Sequence, residues 1–560
     1  MKSYKNILMW LGAAALVFSC EKAPETVQGM PYASAETETF NEWPAYSPTI
    51  HYNLKEDPEF KDLPMPENNL PYNKAFPDRP AKVYDNGKYW SYFEGENANS
   101  IIKGNEAAIE KMFEQLEADA AYMRDEMGWP PTTNVRKGYR DAVFLFGSHL
   151  ATDDASNTDL GGWQSGIMID RVSYPIVLLS YYPTYCFDPE CDYSDKPYQT
   201  EAVTHEYIHA IFASMPGCRK ASWFHEGANC WLQATMNYER QFGDDYEAES
   251  FGWLSTGSVI APFMPIECYS GWLLDGSFGG PGAQGVNNNF RQTIGGVQYS
   301  EIFPTFLGEI IGKGSVPWVW NNCEGYVLEG IAEEIGQEQM ERMLQEYRAR
   351  LALCDMGRYS KATLNLYKAS MGAVYGSDVD GKYVAPWKAT PYASVSPVTD
   401  EAEVEALDTK IPVPPAKEPE LQGVGEWDDA GWFKPDELTL PGWTGANIIP
   451  FKVEGDKVLV AFGPYGDNST EENMSCQLCY RTSEGKTVYG KPFKNGSFLL
   501  DLSGDRPAND VVFAVITNLH YKFGTGSIRT KKFDYRLKVS DNAYPANIHK
   551  SWFDWHTEIN

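Results

Sequence analysis

A chain of 560 residues with 43% apolar side chains has material for several domains and can build a core without cross-links. Its formal net charge of −30 repels phosphate backbones and anionic lipid headgroups, which argues against nucleic acid and against electrostatic attachment to a membrane. The aromatic share of 14% serves core packing and sugar or peptide platforms equally well, so it decides nothing alone.

At the N-terminus, Lys2 and Lys5 precede an apolar run from Ile7 to Phe18 that is too short to span a bilayer. This predicts a cleaved targeting segment. The run closes on Leu16-Val17-Phe18-Ser19-Cys20, which resembles a bacterial lipoprotein cleavage box and implies a signal peptide over 1–20. Cys20 would then be the acylated first residue, anchoring the exported chain to the outer membrane, on its surface or its periplasmic face. With Glu21-Lys22 following, the segment resembles the lipoproteins of Bacteroidota. Ten cysteines less Cys20 leave an odd number, so at least one is unpaired or bonded elsewhere. Cys186 and Cys191 flank a loop containing Pro189 and form one conceivable local pair. Cys476-Gln477-Leu478-Cys479 has the spacing of a zinc half-site or redox pair, but no second CxxC accompanies it and its flanks read as strand.

Residues 21–99, rich in Pro, Asn, Asp and Tyr without sustained periodicity, read as a tether passing into irregular structure. A helix follows over about 105–127, with Ile109, Met112, Phe113, Leu116, Ala120 and Met123 on one face, and Trp129-Pro130-Pro131 ends it. Asp141 to Gly147 and Ser173 to Ser180 are β-rich runs predicting a small sheet. Two helices are expected at about 200–215 and 223–240, separated by Pro216-Gly217, with Ser222 as N-cap of the second. Further helices are expected at about 299–311, 325–335 and 337–353, which makes 100–395 one α+β domain. Pro- and acid-rich pieces mark 396–440 as a linker. Beyond it, short runs at 457–462, 498–502, 511–517 and 531–539 predict a β-sandwich over 441–560.

His205-Glu206-Tyr207-Ile208-His209 lies inside the first of the paired helices, so its histidines sit at i and i+4, roughly 6 Å apart along one face. Both reach a single ion. Glu206, the next residue after His205, stands beside that ion, where a carboxylate can take a proton from water. A hydrolytic zinc site needs a third protein ligand and an open position, and Trp223-Phe224-His225-Glu226-Gly227-Ala228-Asn229 supplies Glu226 in the first turn of the next helix.

These two motifs together resemble the gluzincin metallopeptidases, whose third ligand lies in a W-x-x-E-G-x-A-like second motif. The resemblance covers Ala202 to Gln233 and implies His205, His209 and Glu226 as Zn²⁺ ligands with Glu206 as general base. Over a longer span the motif pair and β-rich C-terminus are similar to a family of secreted Bacteroidota lipoproteins. Position 225 departs from aminopeptidase relatives, which often carry Asn there. His225 is therefore an alternative ligand or a hydrogen-bond donor, though adjacent helical residues point about 100° apart and do not both bind. Metzincin spacing is excluded, because Phe212 and Met215 occupy the positions of its glycine and third histidine. Asn229 either orients a ligand or faces solvent. Trp223 and Trp231 fit core packing better than substrate platforms, and His51, His149, His520, His549 and His556 lack ligand spacing.

The expected architecture is thus α+β: a zincin-like domain with an active-site helix and small sheet, followed by a β-sandwich. The expected function is a zinc-dependent metallopeptidase acting on peptide or glycoprotein substrates. The alternative is a non-catalytic surface lipoprotein that binds glycan or protein.

Overall fold

A computed structural model describes residues 38–554, apart from 41, 45, 47–48, 55–56, 58–59, 61–62, 97–99, 154–160, 252–256, 268–299, 373, 376–377, 380–381, 384–386, 389–390, 467–472, 523–530 and 551. The expected signal peptide over 1–20, its lipidated Cys20, and His556 lie outside the described residues. The architecture is α+β: a mixed five-stranded sheet with helices packed against it, then two antiparallel sheets. No helix among the described residues is long and apolar enough to cross a membrane.

Strand β1 (Thr39–Phe40) belongs to one of the C-terminal sheets. The mixed sheet opens with β2 (Lys82–Asp85) and β3 (Trp90–Glu94), paired antiparallel across a turn in which Gly87 adopts φ +69°. Both fall in the 21–99 stretch read as tether and irregular structure, so the sheet begins before residue 100. Strands of four and five residues are too short to show a period among the Pro, Asn and Tyr around them.

Helix α1 (Glu106–Asp125) starts where the Asn105 side chain accepts the Ala108 N–H at 3.1 Å, and it buries Ile109, Met112, Phe113, Leu116 and Met123 at helical spacing. β4 (Asp141–Leu145) is buried throughout and runs parallel to β3. β5 (Gly162–Ile169) forms the edge of the sheet, antiparallel to β6 (Val172–Leu179), which is parallel to β4. The apolar runs of β4 and β6 suit strands covered on both faces, whereas β5, opening Gly-Trp-Gln-Ser-Gly, carries little β signal and was not expected.

After the short α2 (Tyr181–Tyr185), α3 (Lys196–Ala213) packs on β5 and β6, and α4 (Ser222–Phe242) packs on α3. The reversal between them is tight: Gly217 donates its N–H to the Trp320 carbonyl at 2.8 Å, and a Cβ on Gly217 would stand 2.2 Å from that oxygen. Ser222 is the first residue of α4 and Ala221 holds the cap position, a correction to the expected Ser222 cap; the chain has already turned at Cys218, upstream of the cap, where φ is +59°. Trp223 and Trp231 are core residues, 3% and 1% exposed.

Downstream, α5 (Gln337–Ala352) lies against the outer face of a six-stranded sheet. The stretch read as a linker, 396–440, carries structure: β7 (Val395–Pro397), α6 (Glu401–Lys410) and β8 (Trp432–Pro435). Leu407, Ile411, Leu421, Trp427 and Trp432 from this stretch pack on Leu459, Ala461 and Leu499. Its prolines mask the pattern because Pro412, Pro414 and Pro415 follow α6 while Pro397 and Pro435 end the short strands β7 and β8.

The remaining strands of the two C-terminal sheets are β9 (Ala446–Val453), β10 (Lys457–Pro464), β11 (Met474–Arg481), β12 (Thr487–Gly490), β13 (Gly496–Asp501), β14 (Val511–Asn518), β15 (Tyr535–Val539) and β16 (Ala543–Pro545). They form a six-stranded sheet in the order β1-β12-β11-β14-β9-β16 and a five-stranded sheet in the order β7-β8-β15-β10-β13, with an apolar core between them. Strands from outside 441–560 thus complete both sheets. In β11, Cys476 faces that shared core while Cys479 faces the core under α5, because residues three apart on a strand point to opposite sides. This pair cannot act as a zinc half-site or close on itself as a redox pair.

Candidate metal centre

Helix α3 brings His205 and His209 to one face, with ring centroids 4.8 Å apart and planes nearly perpendicular. The first turn of α4 delivers Glu226 between them. One Glu226 oxygen, Oε2, lies 3.4 Å from His205 Nε2 and 3.3 Å from His209 Nε2, and the three groups offer ligand atoms that all lie within 4.8 Å of one another.

Those distances test whether the donor set suits an ion. A charge-assisted N–H···O bond closes to about 2.7–2.9 Å. Two ligand atoms each about 2.0–2.1 Å from a tetrahedral zinc lie roughly 3.4 Å apart. The two spacings from Glu226 Oε2 to the imidazole nitrogens match the second case. Two imidazoles and a carboxylate are also the right chemistry for Zn²⁺ with an open fourth position.

Two glycines make the arrangement possible. A Cβ on Gly227 would stand 2.4 Å from the Ser300 carbonyl oxygen, so the residue after Glu226 must be glycine for the first turn of α4 to seat. A Cβ on Gly162 would lie 3.1 Å from Cγ of Glu206, so Glu206 rests on the edge strand β5 at a position without a side chain.

The electrostatics follow from burial and proximity. Burial pushes the Glu206 carboxyl above its ordinary value, although His209 and His205 pull it down. Burial pulls His209 down, but the Glu226 carboxylate more than offsets it and leaves the imidazole above its usual value. Glu226 itself is pushed up by burial and drawn down by the two imidazoles, ending well below the usual carboxylate range. The site therefore holds an ionised Glu226 beside a carboxyl, Glu206, that holds its proton more readily.

Around the cluster, His225 takes the hydrogen-bonding role: its Nε2 lies 3.1 Å from the Cys218 carbonyl and its ring packs 4.7 Å from Trp320. It is not among the three converging groups. Asn229 is fully buried and donates from Nδ2 to the His205 carbonyl at 2.8 Å. Thr204, just before His205, donates to Asp119 at 2.6 Å and accepts from Gln115 at 2.9 Å, tying α3 to α1. Arg240 from α4 completes this link by pairing with Asp119. Tyr207 donates to buried Asp141 on β4 at 3.3 Å and packs edge-on against Trp90. Gly162, Asp119 and Gln115 were not anticipated, since nothing local in the sequence announces a partner some 40 to 90 residues away in the chain.

No protein-family model, curated protein or solved structure matches the chain. Among the described residues, His205, His209 and Glu226 are the group of three with metal-ligand chemistry and spacing.

Proposed function

We propose that the chain is a zinc-dependent peptide hydrolase of the gluzincin type with a zincin-like domain, exported and lipid-anchored through Cys20, acting on proteins or glycoproteins at the bacterial surface or in the periplasm. The observation that carries this reading is the position of Glu226 Oε2, 3.4 and 3.3 Å from two imidazole nitrogens, with Glu206 next in sequence to one of them. The mixed sheet with an antiparallel edge strand beside the HExxH helix supports the zincin-like part of the proposal.

His205, His209 and Glu226 are the residues that would hold the metal. When bound, Zn²⁺ supplies Lewis acidity toward a carbonyl and lowers the pKa of water toward neutrality. The proton work falls to Glu206. Its half-buried carboxylate, next to His205 on the helix, accepts a proton from the attacking water and returns it to the departing amine. Gly162 leaves room for that side chain against β5.

The test compares the purified chain with Glu206→Gln on a mixed protein and glycoprotein library, with and without chelator. The proposal predicts chelator-sensitive cleavage restored by zinc, and a variant that retains zinc while losing at least about 100-fold in rate. Cleavage by Glu206→Gln at the full rate removes Glu206 from the mechanism. A zinc-loaded wild-type chain that cleaves nothing rejects the hydrolase reading.

A further inference from the structure

The connection from α2 to α3 holds two thiols that the metal site does not use. Cys186 closes α2, donating its backbone N–H to the Tyr182 carbonyl at 2.9 Å. Cys191 follows Phe187-Asp188-Pro189-Glu190 and turns back, its N–H donating to the Asp188 carbonyl at 3.0 Å. The two Sγ atoms lie 3.9 Å apart, and both side chains are buried. A disulfide at about 2.05 Å therefore requires the sulfurs to close by roughly 1.9 Å, a movement within reach of side-chain rotation on a short loop.

The loop is otherwise well fixed, so the thiols are held facing one another. Asp188 accepts the Asn105 side-chain N–H at the start of α1 and the Glu190 N–H at 2.8 Å. Lys196, at the start of α3, donates to the Asp188 carbonyl at 2.9 Å and to the Cys191 carbonyl at 3.5 Å. Burial, with Cys191 alongside, pushes the Cys186 thiol up to about 12, so it is a poor nucleophile once the loop has closed over it. Both thiols are buried in the folded loop and closed to an external co-reactant, so pairing belongs to the folding stage.

We propose that Cys186 and Cys191 form a disulfide that staples the turn leading into the metal-ligand helix. The co-reactant is a disulfide, either a small molecule such as oxidised glutathione or a protein disulfide of an oxidising compartment. The thiolate of one cysteine attacks it, breaking its S–S bond and releasing one thiolate. The second cysteine then attacks the mixed disulfide, forming the Cys186–Cys191 bond and releasing the other. The two thiol protons pass to the two released thiolates, and the co-reactant is reduced by two electrons. The inference stands independently of the metal site.

The test uses the full chain refolded with oxidised glutathione, alkylated under denaturing conditions and digested with a protease that cuts after Glu190, between the two cysteines. The flanking peptides are expected as one covalent species, 2 Da lighter than the sum of the free thiol peptides and separated by reductant. Recovery of both cysteines alkylated, or of either bonded to another cysteine, overturns the proposal. As a second measurement, oxidised wild-type protein is expected to melt several degrees above its own reduced form. That gap disappears in Cys186→Ser and Cys191→Ser; a gap of the same size in either variant contradicts the staple.

Discussion

Asn229 donates its side-chain N–H to the backbone carbonyl of His205 at 2.8 Å, joining the two helices that carry the metal-ligand set. The bond lies one helical turn beyond Glu226 and on the residue that begins the HExxH motif, so it fixes the carboxylate and the imidazoles relative to each other. Asn229 is a positioning residue, fully buried, and touches none of the three ligand atoms through its donor.

Asn229→Ala is therefore expected to weaken zinc binding by about 10-fold or more, the usual cost of losing a partner that orients ligands. Asn229→Asp, which keeps the shape but not the donor, should behave alike. Competition against a chromophoric chelator measures this, with melting of the metal-free proteins as control. Unchanged zinc affinity in both variants contradicts the role.

Gly162→Val puts a branched side chain where a Cβ alone already stands 3.1 Å from Glu206 Cγ and 2.7 Å from Leu179 Cδ2. Displacing Glu206 removes the proton carrier and leaves the ligands in place. Proteolytic rate is expected to drop at least about 10-fold while zinc content, read by elemental analysis, stays at the wild-type level. Loss of zinc together with activity would instead mean that β5 supports the ligands themselves.

Buried Asp141 gives a pH dependence with a definite sign. Burial pushes its carboxyl up to about 7 from an ordinary 3.8, although Thr132, Tyr207 and Asn134 hydrogen bonds draw it down. The folded chain binds this proton more tightly than the unfolded chain, so the stabilisation is fully present below the unfolded pKa and is lost as pH rises through about 7. Glu346, pushed by burial to about 7, and Glu267, to about 8, act in the same direction. Denaturant unfolding should show wild-type stability falling from pH 4 to 7 by on the order of 3 kcal/mol more than in Asp141→Asn, which mimics the neutral form. Parallel pH profiles for the two proteins would contradict the assignment.

How much of this was legible follows from whether the information is local. His205, Glu206 and His209 are set by one helical repeat, and Glu226-Gly227 by a motif a short reversal away, so periodicity and spacing find them. Asn229 was visible, yet its choice between solvent and His205 depends on how α4 meets α3, which the sequence does not state. Gly162 and Asp119 reach the site through sheet pairing and helix packing across dozens of residues, and leave no nearby pattern. The stretch 396–440 reads as a linker because prolines end or follow its short elements, while the anchors Leu407, Trp427 and Trp432 are too widely spaced to form a period.

The central claim is that two imidazoles and one carboxylate meet at a single divalent cation. X-ray absorption at the zinc K edge on the zinc-loaded chain, repeated on Glu226→Ala, tests it most directly. The expected result is one zinc per chain with two nitrogen ligands from histidine and one carboxylate oxygen at about 2.0–2.2 Å, the carboxylate contribution vanishing in the variant. A wild-type chain that binds no zinc, or a zinc shell identical in Glu226→Ala, contradicts it.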